Sequence, residues 1–543
     1  MSADNKHPTQ SEKSLAQDMD VINSTSDMKD PENPTTEKVF VLELSTTKRI
    51  IAFIGLVLST MLISLDPSMI MFSMIYIGKD LNDTNNINWL SIAFLLTNTT
   101  FQPIYGKLAN IFGRKNIILF AVLLYIVSLI LCGASQTMGM LIAFRALAGL
   151  AAGAISSITQ VLLADIIPLR DRGYYEGILT TAFAFSSIIG SLIGSALTEK
   201  VSWRWIFFVK IPIAVIIFVI LFFCIHEPKR TQISAGKVLR KIDYGGIVLL
   251  AASIICFLLA TQWGGTKYDW DSPLIIGLLC GFIVIFLIFV AYEKYIPAEA
   301  IIPGKMWQKP NIICIFISIF FVSMSLFGVG FYSTMLLQIV YGLTSLQSSY
   351  YSLGNTGAMS IVAIISGIII AKTGKIRPWI WGGLFLCAIG NGLYNTFNET
   401  TSAAQIIGIF AIAGAGMGMS TRTLMMCAQA SVSSEDVAIV TSMFEFIQPI
   451  GAAVGIALCG GIFNNRLIPI IKPILPPGAG DGNPMIYAGF AQNLPPPVKA
   501  KIIGDLVNVF RPIFIIGPVF FIVALLAAFF IKPIVLPERK PRK

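Results

Sequence analysis

From Lys48 to Ile531 the chain is a succession of about fourteen apolar runs, each near the roughly twenty residues a helix needs to cross the hydrocarbon of a bilayer. In that medium an unpaired backbone N–H or C=O costs several kcal/mol, so no irregular segment or open sheet edge can face lipid. The runs therefore predict an all-α fold, a polytopic membrane protein with fourteen transmembrane helices. Composition agrees: 55% of residues are hydrophobic and only 13% are charged, about half the charged share of a soluble domain.

Internal repetition is the next constraint. The glycine-bounded basic loop Gly106-Lys107-Leu108-Ala109-Asn110-Ile111-Phe112-Gly113-Arg114-Lys115 returns far downstream, from Gly367 through Gly374-Lys375-Ile376-Arg377. Its two glycines recur 261 residues on (367 − 106 = 374 − 113). Gly190 and Gly194 recur as Gly451 and Gly455 at the same offset. Four glycines sharing one offset argue for a duplicated unit. In an apolar chain this points to a transporter built from two related helical bundles.

The repeated loops follow runs 2 and 10, so the helices read as six, two and six. Residues 1–47 are polar and lack the apolar core of a signal peptide; they are expected to be a disordered cytosolic tail. A six-helix bundle is expected at 48–225, a basic linker with two extra helices at 226–309, and a second six-helix bundle at 310–531. A Pro-rich outer loop at 464–508 interrupts the second bundle, and 532–543 form a cytosolic tail.

The net charge of +10 suggests nucleic acid until its placement is examined. Lys and Arg concentrate in alternate short connections: Lys107, Arg114 and Lys115; Arg170 and Arg172; Lys229, Arg230, Lys237, Arg240 and Lys241; Lys294, Lys305 and Lys309; Lys372, Lys375 and Arg377. The positive-inside rule then puts both termini in the cytosol, and the partner of the basic surface is a lipid bilayer, not nucleic acid. The eight cysteines lie in or at the ends of apolar runs without metal-like spacing and read as small hydrophobes. With only His7 and His226, neither a metal site nor a cofactor is expected.

At the level of motifs, Gly106 to Lys115 resembles the signature loop of the major facilitator superfamily, and Leu141 to Gly149, carrying Arg145, resembles that superfamily's span-4 arginine motif. The six-two-six plan, the Trp263-Gly264-Gly265 and Trp270-Asp271-Ser272 connection and Glu435-Asp436-Val437-Ala438 resemble the fourteen-spanner drug–proton antiporters. Trp89, Phe101 to Leu108 and Trp203 to Phe207 are similar to fungal multidrug and vacuolar amino-acid transporters. The chain departs from the family pattern in three places. The signature loop has Asn110 where an acid is usual, span 13 has Gln448 where an arginine is frequent, and Gly190-Ser191 replaces the Gly-Pro of the antiporter motif. The resemblance brings Asn110 and Gln448 together as an amide–amide contact at the seam between bundles.

Charges within the runs need explaining, since each costs at least about 2.5–3.5 kcal/mol at mid-bilayer. Asp66 precedes Pro67, which frees a carbonyl and suits the wall of a polar pocket. Arg145 lies at a compatible depth, so Asp66 and Arg145 are expected to pair and to carry proton and solute. Arg422 and Glu445 form a second expected pair, with Gln448 one turn beyond Glu445. Lys210 is expected to snorkel to the headgroups from a peripheral helix. Arg114 and Lys115 are read as a conformational gate at the cytosolic seam, closing on helix-end carbonyls or on acids such as Asp165. Gly190, Gly194, Gly451 and Gly455 are read as helix-packing positions.

These readings describe a secondary active transporter that moves a small organic solute, of drug or xenobiotic type, by alternating access coupled to protons. Vacuolar basic amino-acid transport, siderophore transport and a non-transporting nutrient receptor are the alternatives. No phosphate-binding Gly-x4-Gly-Lys loop and no nucleophile–base pair stands in the chain, so neither ATP-driven pumping nor enzyme chemistry is expected. A monomer in the plasma membrane, or alternatively the vacuolar membrane, is the expected setting.

Overall fold

The computed structural model describes residues 45–83, 86–87, 89–225, 243–265, 268–295, 304–343, 345–398, 401–433, 435–471 and 496–534. Nearly all of the expected N-terminal tail, the basic connection at 226–242, the middle of the outer loop and the last residues of the C-terminal tail lie outside these. The helices are α1 (Thr46–Asp80), α2 (Trp89–Phe112), α3 (Arg114–Ala134), α4 (Met138–Ile166), α5 (Arg172–Lys200), α6 (Trp205–Cys224), α7 (Tyr244–Trp263) and α8 (Pro273–Tyr295). They continue as α9 (Pro310–Ile339), α10 (Ser345–Thr373), α11 (Arg377–Leu393), α12 (Ala403–Ala430), α13 (Val437–Ile471) and α14 (Pro496–Phe529). Among the described residues there is no strand, only an isolated bridge between Gly264 and Tyr268.

Twelve of these helices are long and apolar enough to cross a bilayer. The other two are α2, which carries Thr97, Asn98, Thr99, Thr100 and Gln102, and α11, which has 17 residues. The outer loop expected at 464–508 is shorter than that, because α13 runs on to Ile471 and α14 begins at Pro496.

Local chemistry sets several helix ends. The Thr137 hydroxyl caps α4 by accepting from Met140 N, and Ser402 with Gln405 forms a capping box at α12. Gly113, between α2 and α3, has φ 92°, and its repeat Gly374, between α10 and α11, has φ 71°. Both connections turn through the left-handed region, which only glycine enters without strain. At the opposite end of α1, the Asp80 carboxylate accepts from Trp203 Nε1 (2.9 Å) and from Arg204 (3.0 Å). The bond from Trp203, then that from Arg204, holds its carboxyl below the usual range.

The two halves pack by one plan. Gly149 and Gly153 of α4 lie against the Phe94 and Asn98 carbonyls of α2. Gly414 and Gly418 of α12 lie against the Asn355 and Met359 carbonyls of α10, the positions 261 residues on (355 − 94 = 359 − 98). Likewise Gly190 and Gly194 seat α5 on Leu65 and Met69 of α1, while Gly451 and Gly455 seat α13 on Phe320 and Met324 of α9. The first and sixth helices of each half also pair, α1 with α6 and α9 with α14. Where Gly455 meets α9, the helix widens into a π-helical stretch, Met324–Val329, and Gly328 lies against the Gly455 backbone.

The halves meet at the end that carries the basic loops. A β-carbon on Gly106 would come within 2.7 Å of the Ala438 carbonyl and Ser442 Oγ at the start of α13. Its repeat, Gly367, meets Gly173 at the start of α5, where a β-carbon on Gly173 would stand 2.9 Å from the Gly367 Cα. Helix α7 lies against both α2 and α13, with Trp263 edge-on to Trp89 at 5.7 Å, and α8 pairs with α7.

These contacts predict a specific asymmetry between glycines of one helix. Gly414→Leu, which forces a side chain into the Asn355 carbonyl, should destabilise the protein by about 1–3 kcal/mol or more and lower its melting temperature in detergent. Gly408→Ala, on the same helix with open space around it, should leave the melting temperature unchanged.

Candidate functional site

Asp66 is the centre of a fully buried cluster inside the N-terminal half. Its carboxylate pairs with the Arg145 guanidinium of α4 and the Lys210 ammonium of α6, and accepts from the Tyr125 hydroxyl of α3 at 3.3 Å. Arg145 also donates from Nε to the Leu90 carbonyl of α2 (3.0 Å) and lies over the Phe94 ring at 4.3 Å. One acidic side chain thus ties α1 to three neighbours, and Asp66, Arg145 and Lys210 are at most 1% exposed. The expected Asp66–Arg145 pair is present, but it faces the core of its own half. Lys210 does not snorkel: it is 0% exposed and pairs with Asp66. An ammonium on a stem that points inward finds its only strong compensation there, since an unpaired buried charge is far costlier than a paired one.

A second charged cluster lies across the seam. Arg422 of α12 stands 3.7 Å from Glu445 of α13 and 3.6 Å from Glu176 of α5, and its Nε donates to Thr180 of α5 at 3.3 Å. Gln448 lies one turn beyond Glu445 on α13. Here one guanidinium faces two carboxylates, one from each half of the molecule. The side chains are 20% (Arg422), 14% (Glu445) and 3% (Glu176) exposed, so this cluster, unlike that of Asp66, is not fully enclosed by the protein. Sequence reasoning missed Glu176, which sits a turn into α5 and reads there as a helix-start acid.

At the basic end, Arg114 stands 3.1 Å from Asp165, and Lys115 donates to the Phe222 carbonyl at the end of α6 (2.6 Å). These contacts remain within the N-terminal half. Neighbouring residues make contacts that cross to the other half. Asn110 donates to the Glu435 carbonyl (3.1 Å), Arg170 to the Ala371 and Lys372 carbonyls (2.5 and 3.0 Å), and Arg172 to Gln429 (2.9 Å), which in turn donates to Thr441 (3.1 Å). The amide–amide contact expected between Asn110 and Gln448 is not made. Gln448 lies eleven residues into α13, about 16 Å along the axis from the turn that Asn110 touches. Among the described residues no group of His, Cys, Asp and Glu is placed to hold a metal ion.

Residues 56–456 match the family model described as Major Facilitator Superfamily. The acurin A biosynthesis cluster MFS-type transporter of Aspergillus aculeatus is 32% identical over 76% of this chain and 75% of its own length. Efflux pump aflT of Aspergillus parasiticus is 29% identical over 82% of this chain and 87% of its own. Among solved structures, the human organic anion transporter MFSD10 superposes with a TM-score of 0.55 over 87% of this chain and 98% of its own, at 11% identity, which speaks for the fold alone. With the repeated halves and the matched loops, the chain belongs to the Major Facilitator Superfamily, a family of secondary transporters of small solutes.

Proposed function

We propose that this protein exports a small organic solute by alternating access between its two halves, and that the charge triad Arg422, Glu176 and Glu445 couples the movement to protons. The observation that carries the reading is the position of Arg422, a residue of the C-terminal half held between an acid of each half. Glu176 has Arg172 as a second cation nearby, whereas Glu445 shares Arg422 alone, so the Glu445 side of the site is the one short of a positive charge. In a membrane interior that shortage is met by a proton or by a cationic solute. Binding of either to one acid releases Arg422 to the other, so occupancy of the site and contact between the halves become linked.

The fold is here closed at its basic end, where the Gly106 and Gly367 crossings and the Asn110, Arg170 and Arg172 bonds join the halves. By the positive-inside rule that end is cytosolic, so this is the outward-facing member of the cycle. All fourteen helices cross the bilayer in this reading, α2 and α11 included; both pack in register with membrane-spanning neighbours, and α2 keeps its polar residues turned inward. The name of one Aspergillus relative, an efflux pump, supports export; the plasma membrane is the setting that goes with export in this reading. Asp66 has a different task. Doubly paired and sealed from solvent, it holds α1, α3, α4 and α6 as one rigid body against which the other half rocks.

Two outcomes follow. In proteoliposomes with an imposed pH gradient, screened against lipophilic cations and amino acids, Glu445→Gln and Glu176→Gln should each cut gradient-driven flux at least about tenfold; flux that keeps its full pH dependence in both variants sinks the coupling scheme. In the buried cluster, Asp66→Asn leaves two unpaired cations and should cost about 3–5 kcal/mol, seen as lost yield or a lower melting temperature. Lys210→Met preserves a neutral Asp66–Arg145 pair and should cost far less.

A further inference from the structure

The N-terminal half carries an apolar groove of about 410 Å³, walled by α2 and α3 and floored by α4. It starts at the basic end, where Phe112, the last residue of α2, and Asn116, the third of α3, both line it. From there it runs toward the middle of the membrane as far as Leu124 (124 − 116 = 8 residues, about 12 Å of helix). Ala151 and Ala154 of α4 form its floor, and their small side chains give it depth. Phe112 and Phe120 flank the mouth, 38% and 62% exposed, so the groove opens outward to the bilayer. Its volume is more than twice that of a cavity of about 150 Å³ that takes up benzene in another protein.

Apart from Tyr105 and Asn116, the side chains that line the groove are hydrocarbon throughout. The Tyr105 hydroxyl donates to the Leu150 carbonyl at 2.6 Å, so its one hydrogen is spent. Asn116 commits one amide hydrogen to the Phe112 carbonyl (3.0 Å) and keeps the other at the mouth. Beyond Asn116 a water would lack the two to four polar partners it needs. Left empty, the groove would forfeit the dispersion contacts of its lining. Charge at the mouth has one sign: residues 106–115 hold Lys107, Arg114 and Lys115 and no acid. Lys107 adjoins Leu108 of the groove wall, and Lys115 precedes Asn116, with its Nζ 5.1 Å from the centre of the Phe222 ring on α6.

We propose that this groove seats an acyl chain of an anionic phospholipid from the leaflet at the basic end. The chain matches the apolar length, an ester carbonyl at its head accepts the remaining Asn116 hydrogen, and the phosphate lies in the field of the loop's cations. A sterol would bring a single hydroxyl and no charge to meet them. No residue of the Arg422 triad lines the groove, so the site stands or falls separately from proton-driven export.

The test places the purified full chain in phosphatidylcholine vesicles with a trace of phosphatidylglycerol that carries a photoreactive group on one acyl chain, and maps the labelled peptides. Labelling is expected to concentrate on residues 105–124 and 150–154, and to be displaced by excess unlabelled phosphatidylglycerol but not by cholesterol. The same label on phosphatidylcholine should react about fivefold less. Lys107→Gln combined with Lys115→Gln should erase that preference while chain labelling persists. Ala154→Phe and Ala121→Phe, which fill the groove from two different helices, should each abolish labelling, with melting temperatures recorded for both. Glu445→Gln should leave it unchanged. Labelling spread evenly over the outward faces of all helices, displacement by cholesterol, equal labelling by the two phospholipids, or unaltered labelling in folded Ala154→Phe and Ala121→Phe overturns the proposal.

Discussion

Helices in hydrocarbon gain little by hiding apolar surface from one another, because lipid is as apolar as leucine; how closely two backbones approach therefore decides which helices associate. This protein meets that constraint with glycines placed against carbonyls. Gly149 and Gly153 fix α4 on α2, Gly414 and Gly418 fix α12 on α10, and the pairs Gly190/Gly194 and Gly451/Gly455 fix the fifth helix of each half on its first. The same device, used once per half at Gly106 and Gly367, makes the seam. A crossing held by van der Waals contact between smooth surfaces, with few side chains interdigitated, is suited to being opened and closed.

Charge divides the molecule into parts that hold and a part that responds. Around Asp66 two cations face one carboxylate with no solvent access, and four helices converge on it. Removing its one carboxylate leaves two uncompensated cations, so the cluster acts as a rivet. Around Arg422 two carboxylates share one guanidinium at longer separations of 3.6 and 3.7 Å and with partial exposure, and only Glu176 has a further cation, Arg172, nearby. The second cluster has both the charge deficit and the access that the first lacks. It also spans the halves, so a change in its charge is felt as a change in their contact.

The length and apolarity of the runs were enough to read an all-helical membrane chain, and the repeated glycine offset was enough to read two related halves. Both signals are local or periodic and survive without knowledge of packing. The partners of buried charges were harder. Asp66 and Arg145 stand out because charges are rare in such runs, but the inward turn of Lys210 depends on which face of α6 meets α1, and nothing in an almost uniformly apolar helix marks that face. Glu176 escaped notice because an acid one turn into a helix has an ordinary reading, and only the seam between α5 and α12 gives it another. Asn110 and Gln448 were placed together by resemblance, and the length of α13 keeps them apart.

The central claim is that the halves separate at the basic end when the Arg422 site changes its charge. Electron–electron distance measurements between spin labels at Asn116 and Thr373, one on each half at that end, test it most directly in lipid nanodiscs at neutral and at acidic pH. The account predicts a short distance that gives way to a longer, second population on acidification, and the same shift at neutral pH in Glu176→Gln. A single distance that does not move with pH or with that substitution would contradict it.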